Sequence, residues 1–379
     1  IDYTFGLIDN TKNSDNIKKL ITNNFNNLQN YRDYKKKLDI IDSRNDIPKF
    51  KFIENFGINL LEKVQLILGE TIISEYDSDY LYIAEKLLGD FQDGYKKMIG
   101  NDVNDYIQSN YKSLYIPIWW MFDKIPFPLI SSIHTDISIR VKLRNMEDIL
   151  LTTDSNIKYT IDKTLKANLL ANYFYLEHDE RKKFAENRHE YLVEQVNRMV
   201  VPQPNFNRDV NNLITIPVEF GNPTKDIIFF FKTNSSKDNK LLNRYGVKIG
   251  AQESVSWTQV NNVFVKKIKV TDILANPVEK AKIKFNGKDR ITYLDGKYFN
   301  YYIPSKYYRN SVDTGVNVFT FALNPTAYEP SGSLNMSYVE DFNLFMKMNV
   351  SEHGDVHVYT RNYNILRIMG GQAGLLYLK

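Results

Sequence analysis

Lys282 to Tyr293 reads KIKFNGKDRITY, two runs of alternating apolar and polar residues joined by Asn286-Gly287. Both central residues of a type I′ turn need positive φ, which Asn and Gly adopt at least cost, so this pair is the strongest hairpin signal in the chain. Its neighbours are of the same kind. ITIPVEF (214–220), DIIFFFKT (226–233), VNVFTFAL (316–323), FNLFMKM (342–348), DVHVY (355–359), YNILRIM (363–369) and GLLYL (374–378) are short, and most are bounded by Gly, Pro, Asn or Asp. No helix-length periodic run separates them. Many short strands without intervening helices point to antiparallel sandwiches and away from β-α-β units.

Towards the N-terminus the same signals recur in PKFKF (48–52), LEKVQLIL (61–68) and ETIIS (70–74). Asp77 or Ser78 can cap a helix through Leu88, with Leu81, Ala84 and Leu88 on one stripe and Gly89 in the left-handed stop position. YIPIWWMFDKIPFPLISSI (115–133) reads as strand, bend, strand, with Pro117, Pro126 and Pro128 at edges and corners because proline cannot donate to a ladder. DISIRVKL (136–143) alternates Ile137, Ile139, Val141 and Leu143 with polar residues, as in a sheet with one wet face. Residues 144–166 are polar and irregular, as in a connection. ANYFYLEHDERKKFAENRHEYLVEQVN (171–197) predicts an aromatic strand and then a surface helix, since Phe184, Arg188, Tyr191 and Ala185, His189, Leu192 recur at helical spacing. Residues 1–47, rich in Asn, Asp and Lys, show only scattered apolar positions.

A chain of 379 residues is longer than one core usually serves, which predicts two or three units. Cys is 0, removing disulfides, thiolate nucleophiles and Cys-bearing metal patterns together. Mean hydropathy is −0.41, and no apolar run approaches the ~18 residues of a membrane span. No basic-then-apolar opening suggests a secretory signal. The net charge of +4 is spread out, and its densest run, Lys35, Lys36 and Lys37, reads as a solvated face, so direct nucleic-acid binding is not expected. Tyr 26 and Phe 22 suit pleated, half-buried surfaces.

Catalytic constellations are sparse. His353, Asp355 and His357 in HGDVH share one strand face and form a cupin-like metal candidate, but a turn entering a strand explains the same residues. His189-Glu190 lacks the second His of a zincin helix. GGQAG (370–374) precedes an apolar strand instead of a helix, so a tight turn fits better than a phosphate cradle. Trp119-Trp120 and the Tyr-rich loops could stack on sugar rings in a lectin-like jelly roll, the alternative to a core or subunit contact. Sequons at Asn234, Asn335 and Asn349 permit glycosylation. No catalytic, cofactor-binding or metal-binding residue is assigned.

YFYLEHDERKKFAENRHEYLVEQV (173–196), KFNGKDRITYLDGKYFNYYIP (284–304), FTFALNPTAYEPSGSLNMS (319–337) and YNILRIMGGQAGLLYL (363–378) resemble, in this order, the major capsid protein family of the nucleocytoplasmic large DNA viruses. The chain is similar to a divergent member, with Gln372 where the family often has Met. The resemblance implies an all-β fold: two antiparallel eight-stranded jelly-roll sandwiches in tandem, with a few short helices in loops. The first would occupy 48–150 and the second 171–379, joined by a 151–170 linker, and the divergent segment 1–47 could join the first barrel. It further implies a homotrimer forming a pseudo-hexameric capsomer that tiles an icosahedral shell. Partners would be neighbouring capsomers, minor capsid proteins and an internal membrane; the protein would be located in the virion, assembled in the host cytoplasm, without cofactor or enzymatic activity.

The matched residues then have structural roles. Asp179, Glu180 and Arg181 belong to the helix, and Asn286 and Gly287 to the hairpin, with Asp289 and Arg290 pairing beside it. Pro325 and Pro330 stop strand pairing, Ser331 and Gly332 reverse the chain, and Asn335 enters the next strand. Tyr363, Asn364 and Arg367 lie on the closing strand, Arg367 at a sheet edge or paired across the wall, and Gly371 and Gly374 in its turn.

Overall fold

The computed structural model describes residues 50–89, 93–100, 114–118, 126–152, 167–202, 212–260, 263–308, 310–350 and 352–377. The first strands are β1 (Phe50–Phe52), β2 (Leu61–Leu68) and β3 (Thr71–Asp77), followed by helix α1 (Ser78–Leu88), β4 (Ile137–Leu143) and β5 (Leu150–Thr152). β3, β2 and β4 form an antiparallel sheet in that order, and β1 pairs with β5. Asp77 caps α1, its carboxylate accepting from Tyr80 N at 2.9 Å. Tyr80, Leu81, Ile83, Ala84 and Leu87 of α1 are buried.

Helix α2 (His178–Glu186) precedes β6 (His189–Pro202), β7 (Leu213–Pro217) and β8 (Pro223–Thr233). Then come β9 (Val247–Val260), β10 (Val263–Ala275), β11 (Val278–Phe285), β12 (Lys288–Asp295), β13 (Asn317–Thr320), β14 (Leu334–Asn335), β15 (Phe342–Met348), β16 (Gly354–Met369) and β17 (Gln372–Leu375). One sheet runs β12-β11-β15-β7; in the other, β16 lies between β6 and β8, and β8 continues to β13. Numbering these eight strands along the chain, the sheets read 2-7-4-5 and 1-8-3-6, the order of a jelly roll with its two Greek keys. β14 adds to β8, and β17 to the end of β16.

The core explains the patterns. β15 alternates Phe342, Leu344, Met346 and Met348 inward with half-exposed partners, as one wet face requires. β8 is apolar on successive residues because both its faces are covered: Phe229 meets Phe299 (centroids 5.8 Å apart), whereas Phe230 meets Tyr245 and Tyr359 (4.6 and 5.8 Å). Tyr359 reaches Tyr80 of α1 at 5.8 Å, so α1 and the sandwich share one hydrophobic cluster.

By contact density the chain divides into two compact units. The larger holds 51–151, 158–247 and 275–379. The described part of the smaller is chiefly the long β9–β10 pair over 248–274, where Lys248 pairs with Asp272 at 2.7 Å.

Several local expectations change. Gly89 ends α1 in an extended conformation (φ −90°), and a side chain there would strike Glu85; it is close approach that favours glycine. The described parts of 115–133 hold a 3-10 turn, Leu129–Ser131, and no strand, in keeping with three prolines. Residues 171–177 have no regular secondary structure and, apart from the half-buried Leu176, are exposed. α2 stops at Glu186 and the chain continues as β6, because fourteen residues from His189 to Pro202 pair in unbroken register with β16 and outweigh the helical spacing of Tyr191 and Leu192. DVHVY and YNILRIM are one continuous strand, β16.

Candidate functional site: assembly surfaces

Two buried polar clusters organise the larger unit. The first holds α1 at both ends. Asp77 accepts from Tyr359 OH at 2.7 Å and pairs with Arg198 at 2.9 Å. Asp79 takes Lys232 Nζ on both oxygens at 2.9 Å and Tyr245 OH at 3.0 Å. At the far end Asn310 donates to the carbonyls of Leu87 (3.0 Å) and Gly89 (3.2 Å), supplying partners that helix carbonyls otherwise lack. Burial tends to raise both carboxyls. The Lys232 cation and its hydrogen bonds reverse this at Asp79, whereas Asp77, also facing the Asp79 charge, stays above the usual carboxylate range. His357 stacks on Phe230 (5.0 Å, 13°), and burial pushes it down to about 4 against the opposing pull of Asp79. Neither of its ring nitrogens has a hydrogen-bond partner among the described residues.

The second cluster sits under the LNPTAYEP corner. Arg361 Nε lies 3.0 Å from both oxygens of Asp226, and its Nη2 donates to Pro325 O at 3.1 Å. Tyr308 OH also donates to Asp226. Lys225 pairs with Glu194 and donates to Ala327 O at 3.2 Å. The corner is thus fixed through its carbonyls by two buried cations.

The residues singled out in the sequence lie in several separate places. Asp179, Glu180 and Arg181 are exposed on α2, where Glu180 accepts from Glu177 N at 3.4 Å as a first-turn acid does. Asn286 and Gly287 have φ of 49° and 73° between β11 and β12, and Asn286 Oδ1 accepts from Glu340 N at 3.0 Å, tying the turn to the next loop. Asp289 pairs with Lys282 at 3.3 Å, not with its neighbour Arg290: adjacent strand residues point to opposite faces, while Lys282 sits across the hairpin. Arg290 lines a shallow cavity of about 280 Å³ with Tyr298, Tyr307 and Phe321. Pro330 is exposed, Ser331 Oγ accepts from Asn324 N at 2.8 Å, and Gly332 has φ 131°. Asn335 Oδ1 accepts from Ser337 N at 3.1 Å.

On the closing strand, Tyr363 lies under Lys225 Nζ (5.5 Å), and Asn364 donates to Gln195 and to Tyr377 O, both at 2.7 Å. Arg367 pairs with Glu190 across β16 and β6 at 2.8 Å. Gly371 has φ 81° and would strike His134 with any side chain, whereas Gly374 faces open space. Asp355 pairs with Lys237 and His357 is buried, so HGDVH is a strand entrance; among the described residues no His and carboxylate group could hold a metal ion. Asn234 begins a one-turn helix, Asn234–Asp238, and Asn349 is exposed. Trp119, Trp120 and Lys35, Lys36 and Lys37 lie outside the described residues.

Leu169, Leu170, Tyr173, Phe174 and Tyr175 lie in a segment without regular secondary structure at 60 to 94% exposure, and β4 leaves Val141 and Leu143 exposed. Contiguous apolar patches of this kind mark interaction sites. A family model described as large eukaryotic DNA virus major capsid protein matches residues 180–374, and a second, major capsid protein N-terminus, matches 35–177. The chain belongs to this capsid protein family.

Among its relatives, the major capsid protein of Phaeocystis pouchetii virus is 26% identical, with 85% of this chain and 81% of the relative aligned. That of Pyramimonas orientalis virus is 25% identical over 85% and 77%. The PBCV-1 virus capsid structure superposes with a TM-score of 0.65 at 21% identity, covering 87% of this chain and 88% of that one. The Faustovirus major capsid protein gives 0.62 at 13% identity, covering 84% and 73%. The capsid match from 180 to 374 begins in α2, ends in β17 and so spans the whole eight-strand sandwich. This is a structural capsid protein, a component of the virion.

Sequence reasoning had assigned no role to Asp79, Asp226, Lys232 or Arg361, the residues that hold this capsid protein together inside. Charges flanking the apolar run IIFFF in β8 were the available signal: a strand buried along its whole length buries its ends too.

Proposed function

We propose that this chain is the repeating subunit of an icosahedral shell: two eight-stranded jelly rolls in tandem, three chains forming a pseudo-hexameric capsomer. The rolls would occupy 48–150 and 171–379, joined through 151–170, with 1–47 attached to the first. The observation that carries this reading is that the capsid family match is collinear over both halves, while the second half has all eight strands in jelly-roll order. A jelly roll gives rigid flanks for neighbours and loops at its ends for variable insertions. Closed threefold packing needs heterologous contacts, in which one barrel meets the other barrel of the next copy.

Neighbouring capsomers, minor capsid proteins and an internal membrane are the partners this architecture calls for, with assembly in the host cytoplasm and no reaction run by the chain. The motif residues Asp179, Asn286, Gly287, Pro325, Gly332 and Gly371 act as structural markers of caps, turns and corners. Mass measurement of the purified chain should give a species near three times 44.4 kDa, with a hexagonal outline by electron microscopy. A monomer under all assembly conditions would overturn the reading.

A further inference from the structure

The segment 167–177, ANLLANYFYLE, is neither helix nor strand, and its large side chains face solvent: Leu170 is 78%, Phe174 73% and Tyr175 94% exposed. Its one side chain charged at neutral pH is Glu177, at the end where α2 begins. A soluble monomer gains nothing from such a display, and an uncharged, proline-free, aromatic stretch is prone to uncontrolled association unless something covers it. The root is held firmly: Ser131 Oγ donates to Phe184 O, and Phe184 stacks on His189 at 5.2 Å, docking α2 against the turn Leu129–Ser131. The segment therefore leaves the body in a set place, which lowers the ordering cost of a contact made there. Fully extended, eleven residues reach about 35 Å, far enough to cross onto an adjoining molecule.

We propose that residues 167–177 are a strap that lies on a second copy of this chain and locks neighbouring subunits of the capsomer, an inference resting on the capsomer reading. Area favours a copy over a small ligand. Three aromatics that each cover about 150–250 Å² when buried, together with two leucines, supply on the order of half of the ~800 Å² that each partner gives to a stable protein interface. In a shell built of identical chains, the surface always available at that distance is another copy. The same strap on each subunit makes a head-to-tail contact, which closes into a ring under threefold symmetry.

The test is the full-length double variant Leu170→Glu with Phe174→Glu, compared with the parent by mass photometry. Both side chains are exposed, so circular dichroism should match the parent, as should the urea midpoint at dilutions where the parent is itself monomeric, while at assembly concentration the mass falls from near three times 44.4 kDa to 44.4 kDa. A variant that assembles like the parent overturns the strap and leaves the capsomer reading standing; a parent that is itself monomeric removes the capsomer reading, and the strap with it. Flotation of the parent with phosphatidylcholine–phosphatidylserine vesicles, lost in the variant without any change in mass, reassigns the segment to lipid and overturns the proposal. Because the chain has no cysteine, Tyr175→Cys carries the sole thiol. Its maleimide labelling should slow about tenfold or more on assembly, since only transient opening would expose it; equal rates in assembled and diluted protein overturn the strap independently of the glutamate variant.

Discussion

β16 and β4 are both antiparallel strands of the larger unit, and they invert the usual distribution of side chains. β16 buries His357, Thr360, Arg361, Asn362 and Asn364, none more than 5% exposed, whereas β4 leaves Val141 and Leu143 at 43% and 39%. Most of the buried polar groups on β16 are matched by a specific neighbour: Asn362 accepts from Thr224 at 2.7 Å, Asn364 donates to Gln195 at 2.7 Å, and Arg361 holds Asp226. These bonds are directional, so they fix which residue of β6 and β8 faces which residue of β16. A slip of one position would leave several buried groups without partners, at about 1–3 kcal/mol each. The apolar side chains of β4 carry no such specificity. The lesson is that hydrogen bonds specify the interior of this chain around β16, whereas β4 leaves apolar area uncovered.

The hardest test of that contrast is Arg361→Met. It leaves the Asp226 carboxylate, which is 0% exposed, without its cation, and removing one partner of a buried pair costs about 3–5 kcal/mol. Urea unfolding should show that loss, and Asp226→Leu added to Arg361→Met should restore most of it. A single-variant cost below about 1 kcal/mol, the value of an exposed pair, would mean that the polar interior of β16 is incidental.

Next in size is an acid effect at His357. Its folded pKa, about 4, lies below the ordinary ~6.5, so between these values the unfolded chain binds a proton that the folded one refuses. The stabilisation is present above pH 6.5 and is lost as pH falls through about 4, a total of about 3 kcal/mol. Asp79, Lys232, Arg198 and Asp355 are the charges that act on the ring, and only the two carboxylates favour its protonation. His357→Leu should flatten the dependence of the urea midpoint between pH 6.5 and 4. An unchanged slope would move the effect to Asp79 or to another carboxylate.

How far the sequence could be read obeys the same divide. The β11–β12 hairpin was legible because Asn286-Gly287 is a local conformational demand, and α1 because Asp77 is a local cap. β4 was legible as a strand from its alternation, but its exposure was not: period two tells which residues share a face and says nothing about whether that face is covered. β6 was misread as helix because its pairing with β16 is a long-range fact, made by residues about 170 positions away. The clusters around Asp226 and Asp79 were invisible for the opposite reason, since a charge read in isolation is assigned to solvent. The LNPTAYEP corner shows the same limit: its prolines mark a break in strand pairing, whereas the buried cations that hold its Pro325 and Ala327 carbonyls appear only with the side-chain partners in place.

A smaller effect is expected at Asn364→Leu. Its amide donates to Gln195 Oε1 and Tyr377 O, and the change leaves Gln195, itself 6% exposed, short of a partner, for about 1–3 kcal/mol. Limited proteolysis should also find the chain after β17 easier to cut, because both bonds between Asn364 and the Tyr377 backbone are lost and only Leu376 N to Ile365 O remains there. Wild-type resistance in the variant would show that β17 is held by its ladder alone.

The smallest effect marks the boundary between the two regimes. Val64 of β2 and Val141 of β4 face each other in register, so their side chains share one face of the sheet, yet Val64 is 0% exposed and Val141 43%. Among the described residues β4 is one of the two edges of that sheet, and the limit of the core passes between the two valines. Replacing a methyl by a hydroxyl of the same shape separates burial from packing. Val64→Thr puts an unsatisfied hydroxyl in apolar surroundings and should cost about 1–3 kcal/mol. Val141→Thr should stay within about 0.5 kcal/mol in the isolated subunit, a change in melting temperature of no more than about 2 °C. If the two substitutions cost the same, the apolar face of β4 is already inside the subunit, and it is not held in reserve for contact.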